Sequence, residues 1–178
     1  MRWDPLPFYG LLTAYSVFWL HSAFAKLSDP LRFSGLVAAY DLAPDAWSYP
    51  CTILLGAAEA LIGVGLWIPN IRFSAIVAGI AILALYALAI GTNLYRGRYA
   101  LNCGCHGLNT QEPIRPWMLW RHAALALGLL ALVLAPLSRS ATAWDFVFAA
   151  SSALLSTLLY LAIDTLLTHS RLPALLKD

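Results

Sequence analysis

The sequence predicts an all-α, polytopic membrane bundle of five transmembrane helices, a four-helix core with one further C-terminal span. Two observations predict it. Of the 178 residues 61% are hydrophobic and only 11% charged, where a soluble domain is nearer half apolar and a quarter charged. The apolar excess is also gathered into five blocks, near residues 8–27, 51–68, 73–94, 117–137 and 143–167. At about 1.5 Å of rise per residue, blocks of roughly 18–25 residues match a hydrocarbon core of about 30 Å. Lipid offers no partner to backbone N–H and C=O groups, so each block satisfies its own as a helix.

Taken in order, the first block has Arg2 before it and an Ala23-Phe24-Ala25 sequence that imitates a signal-peptidase site. It also contains Trp19 and His21, and four more apolar blocks follow, so it reads as an uncleaved first span. Residues 28–50 connect it to the second. Pro30 can open a short interfacial helix through Tyr40, with Leu31, Gly35, Leu36 and Ala39 on one side. The Asp41-Leu42-Ala43-Pro44 segment ends it, because a residue before proline avoids helical geometry. Small residues crowd the second span (Gly56, Ala57, Ala60, Gly63, Gly65) and the third (Ala75, Ala78, Gly79, Ala81), as close helix packing in lipid requires. Pro69-Asn70 and Pro136 mark short turns and antiparallel neighbours. Residues 97–116 form the other long connection. The aromatic residues near the span ends, Trp47, Tyr49, Trp67, Tyr95 and Trp117 among them, suit the interfacial belt. Residues 1–178 read as one domain.

A formal charge of +2 without a basic cluster argues against nucleic acid as a partner; the lipid bilayer is the first one. Five spans put Arg2, Arg72 and Arg139 on one membrane face. Lys26, Arg32, Arg96, Arg98, Arg115, Arg121, Arg171 and Lys177 fall on the other. The positive-inside rule assigns that second face to the cytoplasm.

The chemistry-bearing residues fall on the same face. Cys103-Gly104-Cys105-His106 lies in the 97–116 connection, and Cys51 begins the second span. Three readings compete. A zinc site wants four ligands, and Cys103, Cys105, His106 and Cys51 could supply them, but a Cys-x-Cys spacing is tight for one tetrahedral ion and no second close pair exists. Incidental cysteines explain Cys51 but not a glycine-bridged pair. Thiol–disulfide exchange explains all three: positive charge at His106, Arg96, Arg98, Arg115 and Arg121 favours thiolates, and Gly104 permits the bent backbone of a one-residue bridge. A strained disulfide of that kind suits exchange better than scaffolding. No metal is assigned.

Glu59 is a carboxylate placed inside a span, where charge is costly and marks a partner or a function. Lys26 is its nearest counter-charge, and the pair reads equally as structural or as a proton or ligand site. A quinone-sized ligand held there has no motif behind it. Asp164, His21 and His122 read as interfacial or interhelical hydrogen-bonding residues.

These motifs in this order resemble the MauE branch of the DoxX-like membrane proteins. The Phe24-Ala25-Lys26-Leu27-Ser28-Asp29-Pro30 stretch followed by Ala39-Tyr40-Asp41-Leu42-Ala43-Pro44 resembles that family's first helix and loop. Gly56-Ala57-Ala58-Glu59-Ala60-Leu61-Ile62-Gly63 resembles its second helix. Cys103-Gly104-Cys105-His106-Gly107 resembles its Cys-Gly-Cys-Phe-Gly turn, with His106 replacing the aromatic, and Arg121 resembles the start of the next helix. The resemblance covers the first four spans. It implies a multi-pass protein of the bacterial inner membrane, associated with maturation of the disulfide-rich, periplasmic small subunit of methylamine dehydrogenase. It also implies a thioredoxin-like periplasmic companion. A non-enzymatic assembly or export factor is the competing expectation. Disulfide formation wants the cysteine loop on the oxidising side, whereas the arginine count puts it inside; the two expectations collide.

Overall fold

The computed structural model describes residues 5–102 and 113–134, with isolated positions between 142 and 158. Helices dominate: α1 (Pro5–Ser28), α2 (Pro30–Ala39), a 3-10 turn (Asp45–Trp47), α3 (Ser48–Gly65), α4 (Pro69–Tyr95) and α5 (Trp117–Ala131). The described positions from 144 to 158 are also helical. The all-α expectation therefore holds. Two segments, Asp45–Gly65 and Pro69–Tyr95, are long and apolar enough to cross a membrane. α5 is apolar but shorter, and the fifth block falls largely outside the described residues.

Several boundaries differ from the sequence reading, for local reasons. α3 begins at Ser48 rather than Cys51, because the 3-10 turn runs straight into it and Pro50 sits in its first turn, where no N–H is needed. Pro69 does not form the turn between the second and third spans. It is the first residue of α4, and the reversal is made by Leu66, Trp67 and Ile68, whose N–H groups bond back into the end of α3. The α-helix of the fourth block stops at Ala131, where Leu132, Val133 and Leu134 close with tighter i−3 bonds. α2 is capped by Asp29, whose carboxylate accepts from Arg32 N–H at 3.2 Å. Its inward side is Phe33, Leu36, Val37 and Tyr40, while Leu31 is 74% exposed.

α1, α3, α4 and α5 form an antiparallel four-helix arrangement. Ser16 of α1 donates to the Gly63 carbonyl of α3 at 2.8 Å, while Leu27 lies against Gly56. Gly65 faces Ala75, and Glu59 meets Tyr86 further along α4. Gly79 faces Leu129, and Gly91 faces Leu119. Each pairing runs in opposite senses along the two chains. Toward one end of the bundle Phe8, Leu12, Trp19, Ile62, Leu66, Ile76, Leu83 and Leu129 form the main apolar core. The other end receives α2 and the connection between α4 and α5, and there the interior turns polar.

That polar end is tied together by Asn93, which has no exposed surface. Its amide donates to Tyr40 O and Ala89 O, both at 3.1 Å. Arg96 donates to Asp41 O at 3.0 Å, and Arg98 pairs with the Asp41 carboxylate at 3.4 Å. Asp41 itself adopts a left-handed backbone (φ 53°), a conformation its short polar side chain tolerates, and this stops α2.

Candidate functional site

Lys26 and Glu59 face each other across the α1/α3 interface, 2.9 Å apart from Nζ to Oε2. Their side chains are 4% and 0% exposed. The antiparallel register brings them together, since Leu27–Gly56 contact on one side and Leu20–Gly63 contact on the other leave the Lys26 turn opposite Glu59. The pair is an electrostatic contact more than an aligned hydrogen bond, because Oε2 receives no hydrogen bond of good geometry among the described residues.

Neighbouring groups share the load. Tyr86 of α4 donates its hydroxyl to Glu59 Oε1 at 2.6 Å. Lys26 Nζ donates to Ser22 Oγ at 2.8 Å and lies over the rings of Phe33 and Tyr86, 5.0 and 5.5 Å from their centroids. A desolvated ammonium is attracted to such ring faces. The Tyr86 ring meets His122 of α5 edge-on at 6.4 Å. His122 Nδ1 lies 2.7 Å from Met118 O. A carbonyl only accepts, so Nδ1 carries the proton, and Nε2 is the acceptor of the neutral ring.

These side chains line one cavity of about 390 Å³ between α1, α2, α3, α4 and α5. This size is within the range of about 300–1,000 Å³ of small-molecule sites. Its wall is mostly apolar, with Phe18, Leu55, Leu83 and Ile90, and its polar part is Ser22, Lys26, Glu59, Tyr86, Arg121 and His122. Cys51 also lines it, half-buried on the first turns of α3. Leu85 belongs to the wall yet is 52% exposed, so the cavity reaches the outer apolar surface of the bundle.

Of the residues singled out in the sequence, the structure brings Lys26, Glu59, Arg121 and Cys51 to this one cavity. Arg121 lies with its guanidinium 5.4 Å from the Trp117 ring centroid. His21 is exposed. Cys103, Cys105 and His106, like Asp164, lie outside the described residues. The chain on either side of the cysteine turn is described: Asn102 bridges to Pro113, and Ile114 N–H donates to Leu101 O at 2.9 Å. Leu101 packs with Tyr40, Ile90, Ile114 and Met118 in a second apolar cluster at the cavity end of the bundle. Among the described residues no group of three or more His, Cys, Asp or Glu gathers as metal ligands do.

Sequence reasoning missed Tyr86, Ser22, Phe33 and Asn93. Asn93 had a signal, an amide near the end of a long apolar run. Tyr86 had a weaker one, a phenol away from the span ends where many of the tyrosines and tryptophans cluster.

An all-helical bundle with membrane-length apolar helices, a buried ion pair and a cavity open to its apolar surface defines a membrane protein of the helical class. Residues 7–137 match the family model described as methylamine utilisation protein MauE, and the chain belongs to that family. It is 30% identical over 146 residues to the methylamine utilization protein MauE of Paracoccus denitrificans, covering 78% of each chain. It is 33% identical over 146 residues to the protein of that name from Methylophilus methylotrophus, covering 80% of this chain and 76% of the relative. The relative in Methylorubrum extorquens is 31% identical over 139 residues, 78% of this chain and 75% of its own length. No solved structure matches.

Proposed function

We propose that the chain is a methylamine utilisation accessory protein of the bacterial inner membrane, crossing it five times, which exchanges thiol–disulfide equivalents with a thioredoxin-like periplasmic partner. Its task is to assist disulfide formation and maturation of a disulfide-rich periplasmic enzyme subunit. Cys103 and Cys105 are the exchanging pair, Cys51 is the relay thiol, and His106 with a neighbouring arginine favours the thiolate. In the forward step a partner thiolate attacks the Cys103–Cys105 disulfide and forms a mixed disulfide. The second partner thiol then resolves it, leaving the partner oxidised and Cys103 and Cys105 as thiols.

The observation that carries this reading is that Cys51 and the base of the cysteine connection lie at the same end of the bundle. α3 starts there, α4 ends there, and the Leu101–Asn102/Pro113–Ile114 base is packed there against Tyr40 and Met118. The arginines of that end also have structural work, since Arg96 and Arg98 hold Asp41. Their number is then a weak guide to the cytoplasmic side, and the proposed face is the periplasmic one.

The test is replacement of Cys103 and Cys105 separately by serine. Each variant is expected to abolish oxidation of the partner, and one of them to trap a mixed disulfide with it. Full oxidation by both variants would leave a non-enzymatic assembly or export factor as the reading.

A further inference from the structure

We propose that the cavity bounded by Lys26, Glu59, Tyr86 and Cys51 binds a membrane-dissolved quinone. Three observations select that ligand class. The cavity reaches the surface at Leu85 in α4 and at Leu42 in the connection after α2, so a ligand can enter from the hydrocarbon, with an apolar body that matches walls of Phe18, Leu55 and Ile90. At its polar part Lys26 and Glu59 neutralise each other at 2.9 Å, while the Arg121 guanidinium lies 5.4 Å from the Trp117 ring centroid. For a head seated at that pair a neutral group is preferred to a fatty carboxylate, which would set a second anion beside Glu59. The groups present also offer both halves of hydrogen-bonding chemistry. The Lys26 ammonium donates to a carbonyl oxygen, while Glu59 and His122 Nε2 accept from a hydroxyl. A quinone and its hydroquinone present those two faces in turn.

The inference rests on the thiol reading only for its redox consequence. Two thiols that become one disulfide release two electrons and two protons. The quinone takes them up at its two carbonyl oxygens and leaves as the hydroquinone. Cys51 is in the cavity wall and is the one cysteine among the described residues. The quinone is thereby the oxidant that repeated thiol oxidation requires.

The test uses the full-length protein in detergent micelles, titrated with decylubiquinone, and with palmitate as a competing ligand. Wild-type protein is expected to bind the quinone saturably and one-to-one. Ala89→Trp and Val37→Trp, which fill the cavity from α4 and α2, are expected to weaken binding about tenfold or more, the equivalent of losing at least one good contact. A photoreactive azidoquinone on unsubstituted protein gives the same information without a variant, and is expected to label peptides containing Lys26, Glu59 or Tyr86. Absence of saturable binding, labelling confined to other peptides, binding unchanged by either filled variant, or displacement by equimolar palmitate would each overturn the proposal. Thiol exchange measured with glutathione disulfide as oxidant keeps the two readings apart. Exchange intact without quinone binding sinks only this inference; quinone binding with exchange absent sinks only the thiol reading.

Discussion

Lys26 and Glu59 form an ion pair 2.9 Å long in the interior of the bundle, with no more than 4% of either side chain exposed. Two charges withdrawn from water are stabilising only against each other. Removing one leaves the other buried and unpaired, at a cost of about 3–5 kcal/mol, whereas replacing both by apolar groups is often neutral. Lys26→Met and Glu59→Leu are each expected to lower the thermal unfolding midpoint in detergent sharply, and the double variant to recover most of the loss. A double variant as unstable as the worse single one would show that the pair does more than compensate itself. Tyr86 and Ser22 set the size of any remainder, because each loses a hydrogen-bond partner in the double variant.

α1 and α3 approach closely where Gly63 has no side chain. A Cβ built there would lie 2.9 Å from Leu20 Cγ and 3.3 Å from Leu20 N, and the second of these is backbone that cannot rotate away. Overpacking of this kind costs about 1–3 kcal/mol, and Gly63→Val is expected to destabilise by at least that much. Gly35 is the control. It lies in α2 with nothing within 4 Å of a Cβ, so Gly35→Ala is expected to stabilise by about 0.5–1 kcal/mol through helix propensity alone. Unfolding in graded denaturant distinguishes the two signs.

The contrast between these glycines shows what the sequence could and could not reveal. Small residues in the second span announced close packing, but Gly35 belongs to the same composition and touches nothing. Glu59 and Lys26 stood out because charge inside an apolar block is rare, and the register of α1 against α3 then joined them. Tyr86 did not stand out, because a phenol in a membrane helix reads as one more aromatic until a carboxylate is found opposite its hydroxyl. The inward side of α2 was likewise not assigned from the sequence. A ten-residue helix alone does not say what it packs on; here the Phe33 ring under Lys26 and the Asn93–Tyr40 tether fix which side faces inward. The cavity has no signature at all in the sequence, since its volume is a remainder left between five helices.

That tether makes a separate prediction. Asn93 is fully buried, and its amide bonds Tyr40 O while its own carbonyl oxygen accepts from Arg98 at 3.4 Å. A buried polar group left without its partner costs about 1–3 kcal/mol. Asn93→Ala is expected to loosen α2 and the base of the cysteine connection before it affects the apolar core around Trp19 and Leu66. Amide hydrogen exchange reads this directly: protection should fall around residues 37–41 and 114 and hold in α3. Arg98→Ala loses a largely exposed ion pair with Asp41, worth about 0–1 kcal/mol, and one donor to the buried Asn93 carbonyl oxygen, so it is expected to reproduce the loosening in milder form.

Labelling of the thiols from one side of the membrane decides the compartment. Cys51 is half-buried in the cavity wall, so a bulky polar maleimide is expected to react with it slowly from either side. Cys103 and Cys105, as the proposed exchanging pair, are expected to react in the reduced protein when the reagent is added to intact cells with a permeabilised outer membrane. Single-cysteine versions carrying only Cys51, only Cys103 or only Cys105 separate the three signals. Modification of Cys103 and Cys105 only after the inner membrane is opened would place their turn in the cytoplasm. The eight basic residues counted on that face would then mean what the positive-inside rule says they mean, and a reducing compartment would leave the pair as thiols with no periplasmic subunit in reach.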